Sequence, residues 1–317
     1  MGTSIITLEK IRKNYGPVKA LDNLSLNFQR GINGFLGPNG AGKTTTLKIL
    51  IGLIKPDSGK VSVLGLNPIT DALKVREKVG FFPEFDILNI DVEANKFIIH
   101  MGMISGLSRE VAVKQLNRIA AFLDLGEEIH RSLVTLSQGM KQKVKLAISL
   151  ISDPDILLLD EPTSGLDPIA RERMLKLIEA LYKELGKDVV LSTHILKDVE
   201  MICNNIVLIN KGRVLYEGEK DKLIKPIKNK LILKVSLKPN KRVTEFSNAL
   251  NEVGLRNSYD EDENVIHVYL PDDKRREGFI NEVLKLIREF ELELRTLKPS
   301  QLTLEEVFES IIRGEVK

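Results

Sequence analysis

The chain has 317 residues, about the length of two domains, and its 43% hydrophobic and 29% charged residues are typical of a globular protein. A net charge of +3, from 47 basic and 44 acidic residues, excludes a surface coated with positive charge for nucleic acid binding. The one cysteine, Cys203, excludes a disulfide framework and a multi-cysteine metal site. No apolar run approaches the roughly 20 residues of a membrane helix, so we expect a cytoplasmic protein.

Charge is distributed unevenly along the chain. Residues 211–242 carry eleven Lys and Arg against three Asp and Glu, whereas residues 243–317 carry ten against seventeen. A basic stretch followed by an acidic one is typical of a linker that leads into a second domain. We therefore predict one domain over residues 1–225 and another over residues 226–317.

The pattern of apolar residues predicts the fold class. In the first domain, short apolar strands alternate with helical segments, which is typical of βαβ units and a mainly parallel sheet. Residues 86–153 lack strand signals and are expected to form an inserted helical subdomain. The last ~90 residues alternate as βαββαβ. The expected fold is α/β, with a mainly parallel sheet, an antiparallel β edge and the helical insertion, followed by a small α+β domain.

A glycine-rich segment at residues 37–45 matches the pattern G-x-x-x-x-G-K-[ST] between a predicted strand and a predicted helix. Glycines let successive backbone N–H groups point at a phosphate, and Lys43 would reach the β- and γ-phosphates. Thr44 would offer its hydroxyl to Mg²⁺. The motif predicts a P-loop NTPase core that binds a nucleoside triphosphate. The candidate binding residues are Gly37, Pro38, Asn39, Gly40, Ala41, Gly42, Lys43, Thr44 and Thr45.

Two carboxylates end the apolar strand predicted at residues 156–159. Asp160 would lie beside the phosphate loop, where it orients Mg²⁺ through water. Glu161 is a candidate general base that accepts a proton from the attacking water. We therefore assign Asp160 to the metal and Glu161 to catalysis.

Together with these motifs, residues 136–140 (Leu-Ser-Gln-Gly-Met) resemble the ATP-binding subunits of ABC transporters, whose signature motif is LSGGQ. Gln138 and Met140 depart from that motif, but Ser137 and Gly139 keep a helix-capping hydroxyl and open backbone amides. The resemblance implies that Ser137, Gln138 and Gly139 contact ATP held by a second copy. Two copies would then enclose two ATP molecules head to tail.

Three further residues match family motifs. Asp167 ends a segment that resembles the D-loop, and His194 ends a strand as the family's H-switch histidine does. The resemblance implies that His194 contacts the γ-phosphate and holds the attacking water in line with Glu161. It also implies that Tyr15 stacks on adenine.

The segment at residues 79–84 (Val-Gly-Phe-Phe-Pro-Glu) resembles the family's Q-loop, with Glu84 in place of glutamine. As a hard oxygen ligand, Glu84 would bind Mg²⁺ or a water beside it. Apolar side chains around it are expected to form part of a surface that docks a permease, with internal packing as the alternative. They are Phe81, Phe82, Phe85 and Ile87.

The resemblance implies an ATPase subunit that uses ATP and Mg²⁺ to energise a separate ABC permease. The Glu84 segment, the signature wording and the tail at residues 300–314 are similar to the exporter branch that handles drug-like, lipid or polysaccharide cargo. The chain would then lie on the inner face of the cell membrane through its permease.

Two other functions remain open. A related ATPase acting on the ribosome or nucleic acid usually has two cassettes or long coiled-coil arms, whereas this chain has one phosphate loop and no sustained heptads. We therefore expect no nucleic acid partner. The βαββαβ module is also open to a role as a small-ligand sensor or as a dimer-stabilising element.

Overall fold

The computed structural model describes residues 4–85, 88–224, 232–236, 243–260, 265–269, 276–290, 293–298 and 308. The chain divides into two compact units between Lys220 and Asp221. The boundary predicted at 225–226 falls at residues outside the described ranges. Within those ranges, no helix is both long enough and apolar enough to cross a membrane.

The first unit is built from strands and helices in alternation. Its strands are β1 (Ser4–Tyr15), β2 (Val18–Gln29), β3 (Ile32–Leu36), β4 (Ser58–Val63), β5 (Val79–Phe82), β6 (Ile156–Asp160), β7 (Asp188–Thr193), β8 (Asn205–Asn210) and β9 (Arg213–Glu219). Its helices are α1 (Lys43–Leu50), α2 (Ala72–Lys78), α3 (Ala94–Ile104), α4 (Arg109–Leu123), α5 (Gln138–Leu150), α6 (Pro168–Lys183) and α7 (Leu196–Ile202), and α8 (Lys220–Ile224) begins at the boundary.

The larger sheet of this unit has the strand order β5-β6-β7-β3-β8-β9 and is parallel except for β9. Every residue of β3 and β6 is buried, as expected for central parallel strands covered on both faces. The carboxyl ends of β3, β6 and β7 meet at one edge of the sheet, where Leu36 pairs with Thr193 and Asp160 with Ser192. The α/β core predicted from the sequence is confirmed.

A second sheet, with the order β2-β1-β4, is entirely antiparallel. The predicted antiparallel edge therefore comprises this separate sheet as well as β9. One apolar core joins the two sheets around α1, and Phe28 of β2 packs edge-to-face on Phe35 of β3 with ring centroids 5.4 Å apart.

Helices α3, α4 and α5 form the insertion between β5 and β6. Ser108 caps α4 by accepting a hydrogen bond from the Val111 N–H, and Asp124 ends that helix in the left-handed conformation. No strand occurs among the described residues of the region predicted to be helical, 88–153.

The second unit folds as βαββαβ, in agreement with its sequence pattern. Its elements are β10 (Ile232–Ser236), α9 (Val243–Glu252), β11 (Arg256–Asp260), β12 (Val265–Tyr269), α10 (Arg276–Glu289) and β13 (Glu293–Lys298). The sheet has the order β11-β12-β10-β13, and each pair is antiparallel. Phe246 and Leu250 of α9 pack with Ile266 and Val268 of β12 in a separate core. Apart from Phe308, the tail at residues 300–314 lies outside the described ranges.

Candidate functional site

The phosphate loop connects β3 to α1 through two glycines that leave no room for a side chain. A Cβ on Gly37 would lie 2.4 Å from the Ile209 carbonyl oxygen. Gly42 has a φ of 107°, and its Cβ would lie 2.7 Å from the Ala20 oxygen. Among the residues that the structure describes, no side chain caps α1, so its first N–H groups face the loop without a side-chain acceptor. The loop therefore provides backbone donors for an anion.

Lys43 begins α1 and crosses its own loop. Its Nζ donates to the Gly37 oxygen at 2.7 Å and lies 3.3 Å from Glu161 Oε1. Its side chain is only 6% exposed. The loop, the lysine and the carboxylate predicted to act as base therefore lie together at one edge of the sheet.

Asp160, at the end of β6, is almost fully buried. Its Oδ1 accepts a hydrogen bond from Ser192 Oγ at 2.8 Å, while its Oδ2 has no hydrogen-bond partner among the described residues. Burial raises the pKa of this carboxyl, and the hydroxyl groups of Thr44 and Ser192 oppose that shift.

These oxygens fit a magnesium ion. The free Oδ2 of Asp160 and the hydroxyl of Thr44 are hard donors of the kind that Mg²⁺ prefers. No cluster of three or more His, Cys, Asp or Glu within the described ranges could hold a metal by itself. The donor set therefore suits a metal that brings phosphate oxygens and water as its remaining ligands.

Glu161 holds an unusual backbone conformation, with a φ of 49°. Its Oε2 lies 3.0 Å from His194 Nδ1, and its backbone N–H donates to the Ser192 oxygen at 2.9 Å. A left-handed non-glycine residue stores strain of about 1–3 kcal/mol and is often found at active sites. The strained turn holds a buried carboxylate between Lys43 and His194.

A buried network that sequence reasoning missed lies next to this turn. Asp198, 1% exposed in α7, accepts hydrogen bonds from Thr163 Oγ1 at 2.5 Å and from Arg171 Nε at 2.6 Å. Thr163 and Arg171 lie on either side of Asp167, so the network fixes the loop after Glu161 against the helix after His194. The only local signal was an acidic residue in the first turn of α7.

The residues predicted to act in trans lie at the start of α5. Ser137 caps the helix, and its Oγ accepts from the Met140 N–H at 3.4 Å. Gln142, one turn further, donates to the Ser164 oxygen at 3.2 Å. Among the described residues, no hydrogen bond or ion pair joins Ser137, Gln138 or Gly139 to the phosphate loop, so one copy does not bring the two groups together.

The remaining predicted residues lie at the ends of other elements. Asp167 caps α6 and accepts from the N–H groups of Ile169 and Ala170, both at 2.9 Å. Tyr15 ends β1 and is 46% exposed. Glu84 is exposed, two residues after β5.

The aromatic segment around Glu84 is only partly available to a partner. Phe82 is fully buried, with Lys145 Nζ of α5 over its ring, so its predicted place on the docking surface is wrong. Phe81 and Phe85 do line an open apolar groove of about 560 Å³. Ile87 lies outside the described ranges. The groove is lined by Lys48, Leu53, Ile54, Phe81, Pro83, Phe85, Met101, Lys145 and Ile148.

Comparison with known proteins places this site in a family. The ABC transporter family matches residues 21–164. The "Nod factor export ATP-binding protein I" of Ralstonia nicotianae is 37% identical over 223 residues, which cover 70% of this chain and 69% of that protein.

Solved structures of the same kind are also similar. The cbiO1 subunit of Clostridium perfringens, described as part of an ABC transporter complex, is 26% identical with a TM-score of 0.63, covering 71% of this chain and 94% of that one. The dimeric cassette MJ0796 is 28% identical with a TM-score of 0.60, covering 68% and 98%. These matches are to transporter subunits and do not support the ribosome- or nucleic-acid-directed alternative.

Proposed function

The chain belongs to the ABC transporter family of ATP-binding subunits, and from that premise we propose that Glu161 and His194 hydrolyse ATP held on the loop at residues 37–45. The proposal rests on one observation above all. Glu161 is buried between Lys43, at 3.3 Å, and His194, at 3.0 Å, beside that loop. A carboxylate that can act as the base therefore contacts both a cation and an orienting imidazole, next to the place where a γ-phosphate would bind.

Binding is assigned to the loop and to Lys43. The backbone N–H groups of the loop and the positive end of α1 would hold the β- and γ-phosphates. The Lys43 ammonium, already anchored on the Gly37 oxygen, would turn to the phosphates and leave the Glu161 carboxylate free to accept a proton. Tyr15, with its exposed ring, is the proposed stacking partner of adenine.

The metal site is assigned to Thr44 and Asp160, with Glu84 as a further oxygen ligand to the metal or its water. A bound Mg²⁺ supplies positive charge that offsets the negative charge developing on the phosphates. The buried Asp160 would keep its charge when that positive charge is beside it, since an opposite charge lowers a carboxyl pKa.

In the chemical step, water attacks the γ-phosphorus while the bond to the β–γ bridging oxygen breaks. The departing proton of the water goes to the Glu161 carboxylate. His194, half-exposed and in contact with Glu161 Oε2, keeps that carboxylate aimed at the water. The products are ADP and inorganic phosphate.

The second copy completes the site. We assign Ser137, Gln138 and Gly139 to ATP held by the other copy, and Asp167 to the loop that meets it. Two observations support this: within the described part of the chain, no hydrogen bond or ion pair joins the signature residues to their own phosphate loop, and the similar cassette MJ0796 has been described as a dimer. Loss of the γ-phosphate would remove the contacts that favour the closed dimer.

The membrane partner is an ABC permease. Its cytoplasmic surface would seat in the apolar groove, which exposes Leu53 and Phe85 where an isolated domain would keep polar side chains. Export of a drug-like, lipid or polysaccharide cargo is proposed because the similar protein of Ralstonia nicotianae is named for export. This partner would hold the chain on the inner face of the membrane.

Two variants test the assignments of the base and of the nucleotide-binding lysine. Glu161→Gln should bind ATP with wild-type affinity, hydrolyse it at least a hundredfold more slowly and accumulate as a dimer in light scattering with ATP and Mg²⁺. Lys43→Ala should lose nucleotide binding and stay monomeric under the same conditions. Unchanged hydrolysis by Glu161→Gln would remove Glu161 from the role of base.

The partner is tested by purification from native membranes in mild detergent. Co-purification with one multi-spanning membrane protein is the expected result. Recovery of ribosomal RNA with no membrane protein would contradict the transporter assignment.

A further inference from the structure

We propose that Lys145 is a positioning residue that fixes the main chain at Glu84 and thereby sets where the Glu84 carboxylate meets the nucleotide site. The proposal rests on the role given to Glu84 in the proposed function. Lys145 lies on α5, eight positions after Ser137, and would act on the loop that follows β5.

The position of Lys145 is unusual for a lysine. Its side chain is only 4% exposed, and its Nζ donates to the Glu84 carbonyl oxygen at 3.2 Å. The same Nζ lies 4.4 Å from the centroid of the Phe82 ring. Burying an ammonium is costly unless hydrogen bonds and π-faces compensate for lost water. These two contacts therefore help to hold the Lys145 ammonium beside the Glu84 carbonyl group.

The loop after β5 needs such an anchor. Phe82 is fully buried and ends the strand, whereas Glu84 and Phe85 are exposed. The loop therefore leaves the core immediately before the residue assigned to the metal or its water. A donor that reaches it from a neighbouring helix restricts the main chain at the point where the Glu84 side chain departs.

Lys145 also lines the apolar groove, together with Phe81 and Phe85. A permease segment seated in the groove would therefore lie against the side chain that holds Glu84. Lys145 therefore lies on α5, lines the groove and holds the main chain at Glu84.

The first test measures the loop directly in the full chain without metal or nucleotide. Lys145→Met fills the same space without a donor, and Lys143→Met is the matched control, because Lys143 lies on the same helix and donates to the Asp124 oxygen at 2.8 Å. Hydrogen exchange of the peptide spanning residues 79–85 should be about tenfold faster in Lys145→Met and unchanged in Lys143→Met. Equal exchange in both variants would overturn the proposal.

The second test asks whether the effect passes through Glu84. Lys145→Met should lower kcat for ATP hydrolysis about tenfold and raise the Mg²⁺ concentration for half-maximal rate, with nucleotide affinity retained. In a Glu84→Ala background, which leaves no side-chain oxygen at this position to be placed, Lys145→Met should change neither value by more than about twofold. A full tenfold loss in that background would show that Lys145 does not act through Glu84.

A third variant guards against misfolding. If Lys145→Met unfolds or loses nucleotide binding, Lys145→Arg keeps the charge and the donor and should retain at least half of the wild-type kcat and the slow exchange of residues 79–85. Fast exchange in a folded Lys145→Arg protein would contradict the proposal. Wild-type hydrolysis is measured in parallel, so failure of the proposal is distinguishable from failure of the proposed ATPase site.

Discussion

Glu161 Oε2 and His194 Nδ1 lie 3.0 Å apart, at the carboxyl ends of the neighbouring strands β6 and β7. The glutamate is 5% exposed, whereas the histidine is 46% exposed. The His194 imidazole is therefore accessible to an arriving nucleotide, whereas the Glu161 carboxylate that it contacts is buried.

This contact predicts the effect of removing the imidazole. His194→Ala should lower kcat about a hundredfold, because the base loses the group that aims it, and should leave ATP affinity within about threefold. Single-turnover hydrolysis and equilibrium nucleotide binding measure the two effects. His130→Ala, at an exposed residue that contacts Asn95, is the control. An unchanged single-turnover rate in His194→Ala would contradict the assigned role.

Because the Asp160 carboxyl is buried, we expect its replacement by asparagine to lower activity and to raise stability. Its pKa is raised by burial above the ordinary value of 3.8, so the folded state binds this proton more tightly than the unfolded state. The contribution of Asp160 to stability therefore falls as pH rises from 3.8 through the raised pKa. An asparagine side chain at this position would not ionise and would escape this loss.

We expect Asp160→Asn to abolish Mg²⁺-dependent hydrolysis and to raise the melting temperature of the nucleotide-free protein at pH 7 by about 2–4 °C. The gain over wild type should be smaller at pH 4 than at pH 7. Thermal unfolding at both pH values measures it. A variant that melts below wild type at pH 7 would show that burial of this charge is already compensated.

Because a side chain at Gly42 would clash with its surroundings, we expect Gly42→Ala to lose more stability than its positive φ alone would cost. Gly42 and Gly186 both have positive φ, but a Cβ on Gly186 meets no atom of the described residues within 4 Å, whereas one on Gly42 lies 2.7 Å from the Ala20 oxygen. Gly186→Ala should cost about 1 kcal/mol of unfolding free energy. Gly42→Ala should cost at least about 2 kcal/mol and abolish ATP binding. Urea unfolding and nucleotide binding test both, and equal costs would contradict the steric argument.

The Asp198 network predicts a large stability change from an isosteric substitution. Asp198→Asn leaves the Arg171 guanidinium without its buried counter-charge, so we expect a loss of about 3 kcal/mol in urea unfolding. Glu172→Gln, on the same helix as Arg171, breaks an exposed pair with Lys176 at 2.6 Å and should cost under about 0.5 kcal/mol. Similar losses in the two variants would show that burial does not distinguish the pairs.

The phosphate loop and the strand ends were predictable because their signals are local. Residues 37–45 carry the whole motif in one stretch, and Asp160 and Glu161 follow an unbroken apolar strand. Once the strands are parallel, their carboxyl ends share one edge, so the meeting of Lys43, Glu161 and His194 follows from the strand pattern together with the family resemblance.

The rest could not be predicted because it depends on residues far apart in the chain. Thr163 and Asp198 are 35 positions apart, and nothing near either residue identifies its partner. The burial of Phe82 likewise depends on α5, which packs over its ring through Lys145. The left-handed conformation of Glu161 leaves no mark on the sequence either, because no glycine or asparagine stands at this position.

The strand order of the larger sheet has a consequence for the time course of synthesis. Strand β3, which carries the phosphate loop, pairs on one side with β7 and on the other with β8, both more than 150 residues later. Such distant pairing forms slowly and only after the later strands have been translated. A nascent chain that ends before Asn205 lacks one neighbour of β3, so we expect the emerging polypeptide to acquire its nucleotide-binding capacity only after β8 has been translated.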